Sequence, residues 1–157
     1  MAEEVQLVVF ILKQADQTCE YGVPITKVQE IISMATPTKM PQTPDFVEGI
    51  INLRGKIIPI IDLKKRFEMG KSDLTGDTRS VIVEVEGQTI GIIVDEVTEV
   101  LRLQGENIEP PPAVIGGITA QYLTGVGKID DRLLILLDMD KILSEDEKAE
   151  LVTAANA

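Results

Sequence analysis

The residues best suited to chemistry in this chain are carboxylates that recur beside apolar segments. Asp62 and Asp138 end two such segments 76 positions apart, and Asp130 and Asp131 precede the second one. Hard divalent cations prefer oxygen ligands, so one interpretation is a carboxylate metal site and a metal-dependent hydrolase. The positions favour structural roles, because two of these residues would cap short helices and two would occupy a hairpin turn. We therefore predict no metal and no catalytic residue, and keep the hydrolase as an alternative.

Other enzymatic chemistry finds little support in the sequence. The chain has no histidine, the side chain most often used for acid–base catalysis near neutral pH, so a Cys–His or Ser–His nucleophile is excluded. The single cysteine, Cys19, is expected to be an incidental thiol. The pair Gly125 and Gly127 lacks the third glycine of a dinucleotide-binding fingerprint. The prediction is a non-enzymatic protein without a cofactor.

The composition indicates a folded protein that avoids anionic partners. The chain has 157 residues, and a hydrophobic content of 44% is enough to build a core. Its 15 basic and 26 acidic residues give a net charge of −11, which repels nucleic acid and anionic membrane surfaces. No apolar run approaches the roughly 18 residues that span a bilayer. With one cysteine and no positively charged leader, we predict a cytoplasmic location, no nucleic-acid partner and no direct membrane insertion.

The elements that must position any site come in two related sets. The pattern of residues 46–67 recurs at residues 122–143, and that of Gly22–Ile32 recurs at Gly91–Leu101. Self-similarity at fixed offsets indicates a supersecondary unit that is used more than once. The sequence therefore predicts two related lobes with a groove between them.

Many short apolar segments bounded by glycine and proline turns predict an all-β fold of two small barrels. Short helices are expected from the Thr43-Pro44 cap to Gly49 and after Asp62, and a C-terminal helix is expected to open at Ser144. The segment Met69–Arg79 reads as the linker between the lobes. We predict one domain over 1–157, with subdomains at about 15–80 and 81–143 and with the N-terminal strand and C-terminal helix packed on one of them.

What remains after these exclusions is surface recognition. Arg54 stands at the tip of an apolar hairpin, and Val114 and Ile115 stand in a loop flanked by prolines and glycines. Contiguous exposed apolar groups tend to mark interaction sites. These positions are therefore candidates for contacts with other macromolecules.

Several blocks of the chain closely resemble the CheW family of bacterial chemotaxis coupling proteins, in family order from about Val5 to Leu151. The blocks are Glu20–Val23, Lys27–Ile31, Phe46–Gly55, Pro59–Leu63 and Tyr122–Gly125. The resemblance implies two five-stranded, SH3-like barrels and a cytoplasmic adaptor, held at membrane receptor arrays through its partners. Those implied partners are the cytoplasmic tips of chemoreceptors and the regulatory domain of the histidine kinase CheA, whose autophosphorylation the receptors control. A CheV-like protein, or a coupling protein of another chemosensory pathway, is the alternative within this class.

Matching residues to the family assigns three contact surfaces by resemblance. The receptor surface is implied to comprise Val28, Glu30, Asn52, Leu53 and Arg54. The kinase surface is implied to comprise Ile32, Met34, Gly49 and Ile50. A second kinase contact is implied at Val114 and Ile115, where family members often place an aromatic side chain.

Overall fold

Short strands dominate the structure, a computed structural model that describes residues 4–14, 17–33, 36–41, 45–67, 74–110, 114–115, 118–119 and 123–142. The predicted all-β class is confirmed. The strands are β1 (Glu4–Gln14), β2 (Gln17–Pro24), β3 (Val28–Ser33), β4 (Val47–Leu53), β5 (Lys56–Asp62), β6 (Arg79–Val85), β7 (Gln88–Val94), β8 (Glu96–Gln104), β9 (Ile108–Glu109), β10 (Val114–Ile115), β11 (Ile118–Thr119), β12 (Leu123–Ile129) and β13 (Arg132–Leu137). The helical pieces are α1 (Leu63–Arg66) and 3-10 turns at Ile25–Lys27, Gly105–Asn107 and Met139–Lys141.

The strands form two main sheets that repeat one topology. The first lobe is a five-stranded sheet in the order β3-β6-β7-β5-β4, and the second lobe is a six-stranded sheet in the order β8-β1-β2-β13-β12-β9. The first five strands of the second lobe match those of the first lobe in order. Each lobe contains one parallel pair at the same place, β5 with β7 and β13 with β2. The duplication predicted from the sequence is therefore present, and the N-terminal hairpin β1–β2 completes the second lobe.

The predicted subdomain boundary needs correction. A division between residues 80 and 81 falls inside β6, which belongs to the five-stranded sheet. The segment 69–79 connects α1, at the end of β5, to β6, so it joins two parts of the first lobe and does not separate the lobes. Glycines and alternating charges mark a connection but do not say which sheet the next strand joins. The chain passes between the sheets after β2 and again at Asp95.

Among the residues that the structure describes, three apolar clusters hold the two sheets. One cluster lies within the second lobe and includes Leu7 and Leu134, and another lies within the first lobe and includes Ile58 and Ile82. The third and largest takes side chains from both sheets, namely Phe10, Leu12, Tyr21, Val23, Phe46, Val47, Ile61, Leu63, Phe67, Val81, Val83, Val85, Ile90, Ile92, Val94, Leu123, Ile135, Leu137, Met139 and Ile142. We call this the shared core. Where the two sheets face each other, the space is filled by the side chains of the shared core. The prediction of a groove between the lobes is therefore wrong for the facing sides of the sheets.

The strands beside the shared core bury both of their faces. In β1, Leu7 and Val9 face the second-lobe cluster, and Phe10 and Leu12 face the shared core. Successive side chains of a strand point to opposite faces, so a strand buried on both sides must be apolar at nearly every position. This explains the continuous apolar runs of the sequence.

A buried ion pair lies where the chain crosses from the first lobe to the second. Asp95, between β7 and β8, accepts a hydrogen bond of 2.6 Å from the backbone N–H of Lys13 and lies 3.5 Å from Lys64 Nζ of α1. Both charged side chains are more than nine-tenths buried, at 8% and 9% exposure. Buried charges persist only when they are paired and hydrogen-bonded. The pair therefore ties α1 of the first lobe to the N-terminal strand of the second.

The predicted helix caps have different outcomes. Asp62 and Asp138 accept N–H bonds of 3.1 Å from Lys64 and Asp140, so both predicted caps are confirmed. The short helix expected to end at Gly49 is wrong, because that glycine lies within β4 and the strand hydrogen bonds take precedence over a local helical turn. Thr43, Pro44 and the predicted C-terminal helix lie outside the described residues.

Tyr21, on β2, is fully buried in the shared core and gives a test of it. Its ring stacks on Phe10 with centroids 5.8 Å apart, and its hydroxyl has no hydrogen-bond partner among the described residues. Burial, with a smaller contribution from the Cys19 thiol, raises the pKa of Tyr21 well above its ordinary value. An unfolded tyrosine ionises near pH 10, so above about that pH the folded state holds the phenolic proton that the unfolded state releases. Stability therefore falls as pH rises through this range.

We expect Tyr21→Phe to raise the free energy of unfolding at pH 7 by up to about 1 kcal/mol, because it removes a buried hydroxyl whose neighbour, the Cys19 thiol, is a weak hydrogen-bonding group that offsets little of the desolvation. Above pH 10 the advantage of the variant should grow by as much as about 1.4 kcal/mol per pH unit. Urea unfolding at pH 7, 10 and 11 measures both effects. A variant less stable than the parent at all three values would contradict this account.

Candidate binding surface

The residues predicted to contact partners cluster on the two outer strands of the first lobe. β3 carries Val28, Glu30 and Ile32, whereas β4 and the turn after it carry Gly49, Ile50, Asn52, Leu53 and Arg54. β3 and β4 are the two edge strands of the five-stranded sheet, so they would lie far apart if the sheet were flat. The structure nevertheless brings the two groups together.

The five-stranded sheet curls until its two edges meet. Beyond β3, Thr38 pairs with Ile50 of β4 through two backbone hydrogen bonds of 2.8 and 2.9 Å. A side-chain contact joins the same edges, because a guanidinium nitrogen of Arg54 pairs with a carboxylate oxygen of Glu30. Closure of a sheet removes its open edges. We call the surface formed at this seam the first-lobe edge: Val28, Glu30, Asn52, Leu53 and Arg54.

Arg54 occupies a backbone position that favours other residues. It and Gly55 form the two-residue turn between β4 and β5, with φ values of 52° and 87°. Asn52 supports the turn by accepting a 2.7 Å hydrogen bond from the N–H of Gly55. Such turns require positive φ at both central residues and favour asparagine, aspartate or glycine. An arginine there opposes the local preference, as Glu86 does at a φ of 48° in the β6–β7 turn, so the backbone position alone does not distinguish Arg54 as functional.

The first-lobe edge combines one accessible cation with aliphatic side chains. The Arg54 side chain is 71% exposed although it pairs with Glu30, so its guanidinium can still reach a partner. An exposed pair of this kind contributes at most about 1 kcal/mol, which a competing carboxylate can offset. Val28 and Leu53 are half-buried and pack against the shared core and the first-lobe cluster respectively. The edge therefore suits an amphipathic helix that carries an acidic or polar side chain.

The residues of the predicted kinase surface are less accessible. Gly49 is buried, and an added Cβ would lie 2.3 Å from the carbonyl oxygen of Thr38, at a φ of +143°. Its repeat counterpart, Gly125, is constrained by space alone, with an ideal Cβ 2.8 Å from the carbonyl oxygen of Glu109. Gly49 thus has a structural role at the seam, and its contact with a partner stays a prediction. Ile32 and Ile50 are half-buried, and Met34 lies outside the described residues.

The predicted second kinase contact lies apart from the first-lobe edge. Val114 and Ile115 form β10, which pairs with β11 in a separate two-stranded ribbon. Only the backbone of this ribbon is described, so the contact stays a prediction.

The second lobe carries a related ion-pair cluster that sequence reasoning missed. Arg132 donates to both oxygens of Glu20 at 2.6 and 3.1 Å and to Glu99 at 3.2 Å. The hydrogen bonds to Glu20, together with the charges of both glutamates, raise the pKa of Arg132. Glu20 and Arg132 are 112 positions apart, so no local pattern connects them. The repeat supplied only part of the signal, since Glu99 is the counterpart of Glu30 at an offset of 69, whereas Arg132 is the counterpart of Lys56 at an offset of 76.

Exposed apolar side chains also recur at equivalent positions of the lobes. They are Ile31 and Ile57 in the first lobe, with 39% and 40% exposure, and their counterparts Val100 and Leu133, with 54% and 57%. Ile31 and Ile57 each precede another isoleucine in a strand. Neighbouring strand residues point to opposite faces, but the doublets Ile60-Ile61 and Ile92-Ile93 bury both of their side chains. A doublet therefore does not mark an exposed position, and the exposure of Ile31 and Ile57 depends on which strand faces are covered in the folded protein.

The carboxylates considered as metal ligands do not converge. Asp130 and Asp131 form the turn before β13, and Asp138 follows that strand, which puts them about 20 Å apart at 3.3 Å per residue. Within the described ranges there is no group of three or more histidine, cysteine, aspartate or glutamate side chains that could hold a metal ion. In the same part of the chain, no helix is long and apolar enough to cross a membrane.

Comparison with known proteins gives consistent matches. The family model described as CheW-like domain matches residues 6–147. The chain is 42% identical over 130 residues to the chemotaxis protein CheW of Klebsiella aerogenes, covering 83% of this chain and 78% of that protein. It is 40% identical over 153 residues to CheW of Treponema pallidum, covering 95% and 88%. The crystal structure of the scaffolding protein TtCheW from Thermoanaerobacter tengcongensis superposes with a TM-score of 0.81 at 43% identity, covering 92% of this chain and 91% of that one.

The contact at Gly49 generates a prediction about stability. We expect Gly49→Ala and Gly125→Ala each to lower the free energy of unfolding by at least about 2 kcal/mol, because a Cβ at either position meets a backbone carbonyl. Gly76→Ala is the matched control, since nothing lies within 4 Å of its ideal Cβ. Thermal and urea unfolding measure the three variants. An unchanged midpoint for Gly49→Ala would show that the seam tolerates a side chain.

Proposed function

The chain belongs to the CheW-like family of chemotaxis coupling and scaffold proteins, and from this membership we propose that it joins chemoreceptor cytoplasmic tips to the histidine kinase CheA. In this role it transmits receptor control to the autophosphorylation of the kinase. The observation that carries the proposal is the first-lobe edge, where residues from two segments of the chain meet and present Arg54 to solvent. The protein would act by holding partners in place, and no reaction of its own is needed.

The chemistry of the first-lobe edge supports a helical partner. A chemoreceptor tip is an antiparallel helical hairpin, and helices commonly dock their apolar faces against half-buried aliphatic side chains such as Val28 and Leu53. The Arg54 guanidinium can add a charge-assisted hydrogen bond to a carboxylate or carbonyl on the helix. Since Glu30 already pairs with Arg54, the partner must share or replace that contact. This requirement favours partners that carry an acceptor at the right place.

A separate kinase surface would allow both partners to bind at once. We assign it to Ile32, Met34 and Ile50, with Gly49 maintaining the backbone beneath it. The second contact, at Val114 and Ile115, would lie on another part of the molecule. Two different contacts on one protein form heterologous interfaces, which close into rings when the geometry allows. Receptor arrays at the membrane would then contain this protein through its partners.

Signal transmission through such a scaffold requires contacts that differ between the kinase-on and kinase-off arrangements. Coupling free energies between sites are typically about 1–3 kcal/mol. A fold whose lobes share one core can carry a small rearrangement from the receptor surface to the kinase surface without unfolding. The proposal therefore places regulation in modest shifts of binding free energy.

Arg54→Asn separates the function of this residue from its effect on stability. Asparagine is favoured at the positive φ of the turn, and this gain in stability offsets the loss of the exposed ion pair with Glu30. The free energy of unfolding should therefore change by less than about 1 kcal/mol. Binding to a receptor-tip fragment should weaken about tenfold or more through loss of a charged hydrogen bond. Binding to the CheA regulatory domain should change by less than about twofold. Isothermal titration with each purified fragment measures both affinities.

Glu86→Asn is the matched control for that variant. Glu86 and Gly87 form another two-residue turn with φ values of 48° and 82°, close to those of Arg54 and Gly55. The control should keep both affinities. Equal losses of receptor and kinase binding in Arg54→Asn would contradict the division of surfaces, and no loss of receptor binding would contradict the proposed function.

A further inference from the structure

We propose that Asp140, which lies in the second lobe, positions the first-lobe edge through an ion pair with Lys27. The inference rests on the proposed function, because it concerns the same receptor surface. Lys27 is the last residue of the 3-10 turn before β3, and the next residue, Val28, is the first of the first-lobe edge. The Nζ atom of Lys27 lies 3.3 Å from Oδ2 of Asp140.

Two hydrogen bonds and a buried neighbouring residue help to fix Asp140 in place. Its backbone N–H donates to Oδ1 of Asp138 at 3.1 Å, within the capped turn that follows β13. Its own Oδ1 accepts a 3.3 Å hydrogen bond from the backbone N–H of Glu86, at the tip of the β6–β7 hairpin. Met139, the residue before it, is buried in the shared core. Asp140 is therefore a fixed point on which the start of β3 and a first-lobe hairpin both rest.

The repeat supplies a related contact with its charges exchanged. Asp140 is the counterpart of Lys64 at an offset of 76, and Lys27 is the counterpart of Glu96, next to Asp95, at an offset of 69. Lys64 follows the β4–β5 hairpin and pairs with Asp95, just before β8. In the same way, Asp140 follows the β12–β13 hairpin and pairs with Lys27, just before β3. The Lys64–Asp95 pair is buried, whereas the Lys27 and Asp140 side chains are 38% and 37% exposed. One connection between the lobes is therefore buried, and the other is partly open to solvent.

The exposed pair bears directly on the geometry of the receptor surface. Glu30 lies three residues after Lys27 on β3, while Arg54, its partner, is held by the β4–β5 turn. If the start of β3 shifts relative to the shared core, the distance between Glu30 and Arg54 changes. The ion pair at Lys27 resists that shift. Asp140 thus acts as a positioning residue for a surface that it does not itself belong to.

The test is a charge exchange across the pair, made in the full chain. The variants are Lys27→Glu, Asp140→Lys and the double variant, each titrated with a purified receptor-tip fragment and with the CheA regulatory domain. An exposed pair contributes up to about 1 kcal/mol, so each single variant should weaken receptor binding by about two- to fivefold. The double variant should bind the receptor tip more tightly than either single variant, although lysine at position 140 cannot accept the hydrogen bond from the Glu86 N–H. Kinase binding should change by less than about twofold throughout.

Amide hydrogen exchange reports on the positioning itself. Protection over 28–33 should fall in both single variants and recover in the double variant, while protection elsewhere in the first lobe stays unchanged. The matched control is the exposed pair of Lys128 with Glu109, 2.7 Å apart in the second lobe, exchanged in the same way. Its three variants should leave receptor binding unaltered, although Lys128→Glu changes the net charge by the same amount as Lys27→Glu.

The outcomes separate this inference from the proposed function. If Arg54→Asn weakens receptor binding but the Lys27 and Asp140 variants do not, the positioning role is wrong and the proposed function stands. If Lys27→Glu weakens receptor binding and Asp140→Lys leaves it unchanged, Lys27 touches the receptor directly and the inference is overturned. If neither Arg54→Asn nor the charge exchanges alter receptor binding, the proposed receptor surface itself is wrong.

Discussion

The shared core is the constraint on which the rest of the structure depends. Each lobe has its own small apolar cluster, but the largest cluster takes side chains from both sheets. Tyr21 of the second lobe and Ile92 of the first lobe both belong to it. Strands that bury both faces cannot present polar groups, so binding residues are confined to outer strands and turns. The buried pair of Lys64 and Asp95 adds a polar connection at the crossing between lobes. The position of the first-lobe edge follows from this division.

Closure of the first lobe turns separate segments into one surface. The backbone pairing of Thr38 with Ile50 requires a close approach that only glycine at position 49 permits. Glu30 and Arg54 then meet across the seam. Gly49 and Arg54 thus have different roles. Gly49 allows the close backbone contact with Thr38, whereas Arg54 is exposed to solvent in a turn position that disfavours arginine. A family resemblance marks both residues and does not distinguish their roles.

Much of the fold was predictable from the sequence because its signals are local or repeated. Turns at Gly55 and at Asp130-Asp131, and caps at Asp62 and Asp138, follow from residue type and position, although Arg54 itself is disfavoured in its turn. Sheet membership was not predictable, because the β1–β2 hairpin pairs with strands more than 70 positions away in β8 and β13. The resemblance supplied the candidate site residues of β3 and β4, and their roles stay predictions. The burial of Gly49 and the Arg132 cluster depend on tertiary contacts that no local pattern encodes.

The most direct test of this account is whether the two lobes unfold together. Calorimetric unfolding of the full chain, compared with amide hydrogen exchange of β7 in the first lobe and β13 in the second, measures their coupling. Since both strands bury side chains in the shared core, we predict one transition whose calorimetric and van't Hoff enthalpies agree, with equal free energies of exchange for the two strands. Two separate transitions, or one strand that opens at a much lower free energy than the other, would contradict a shared core.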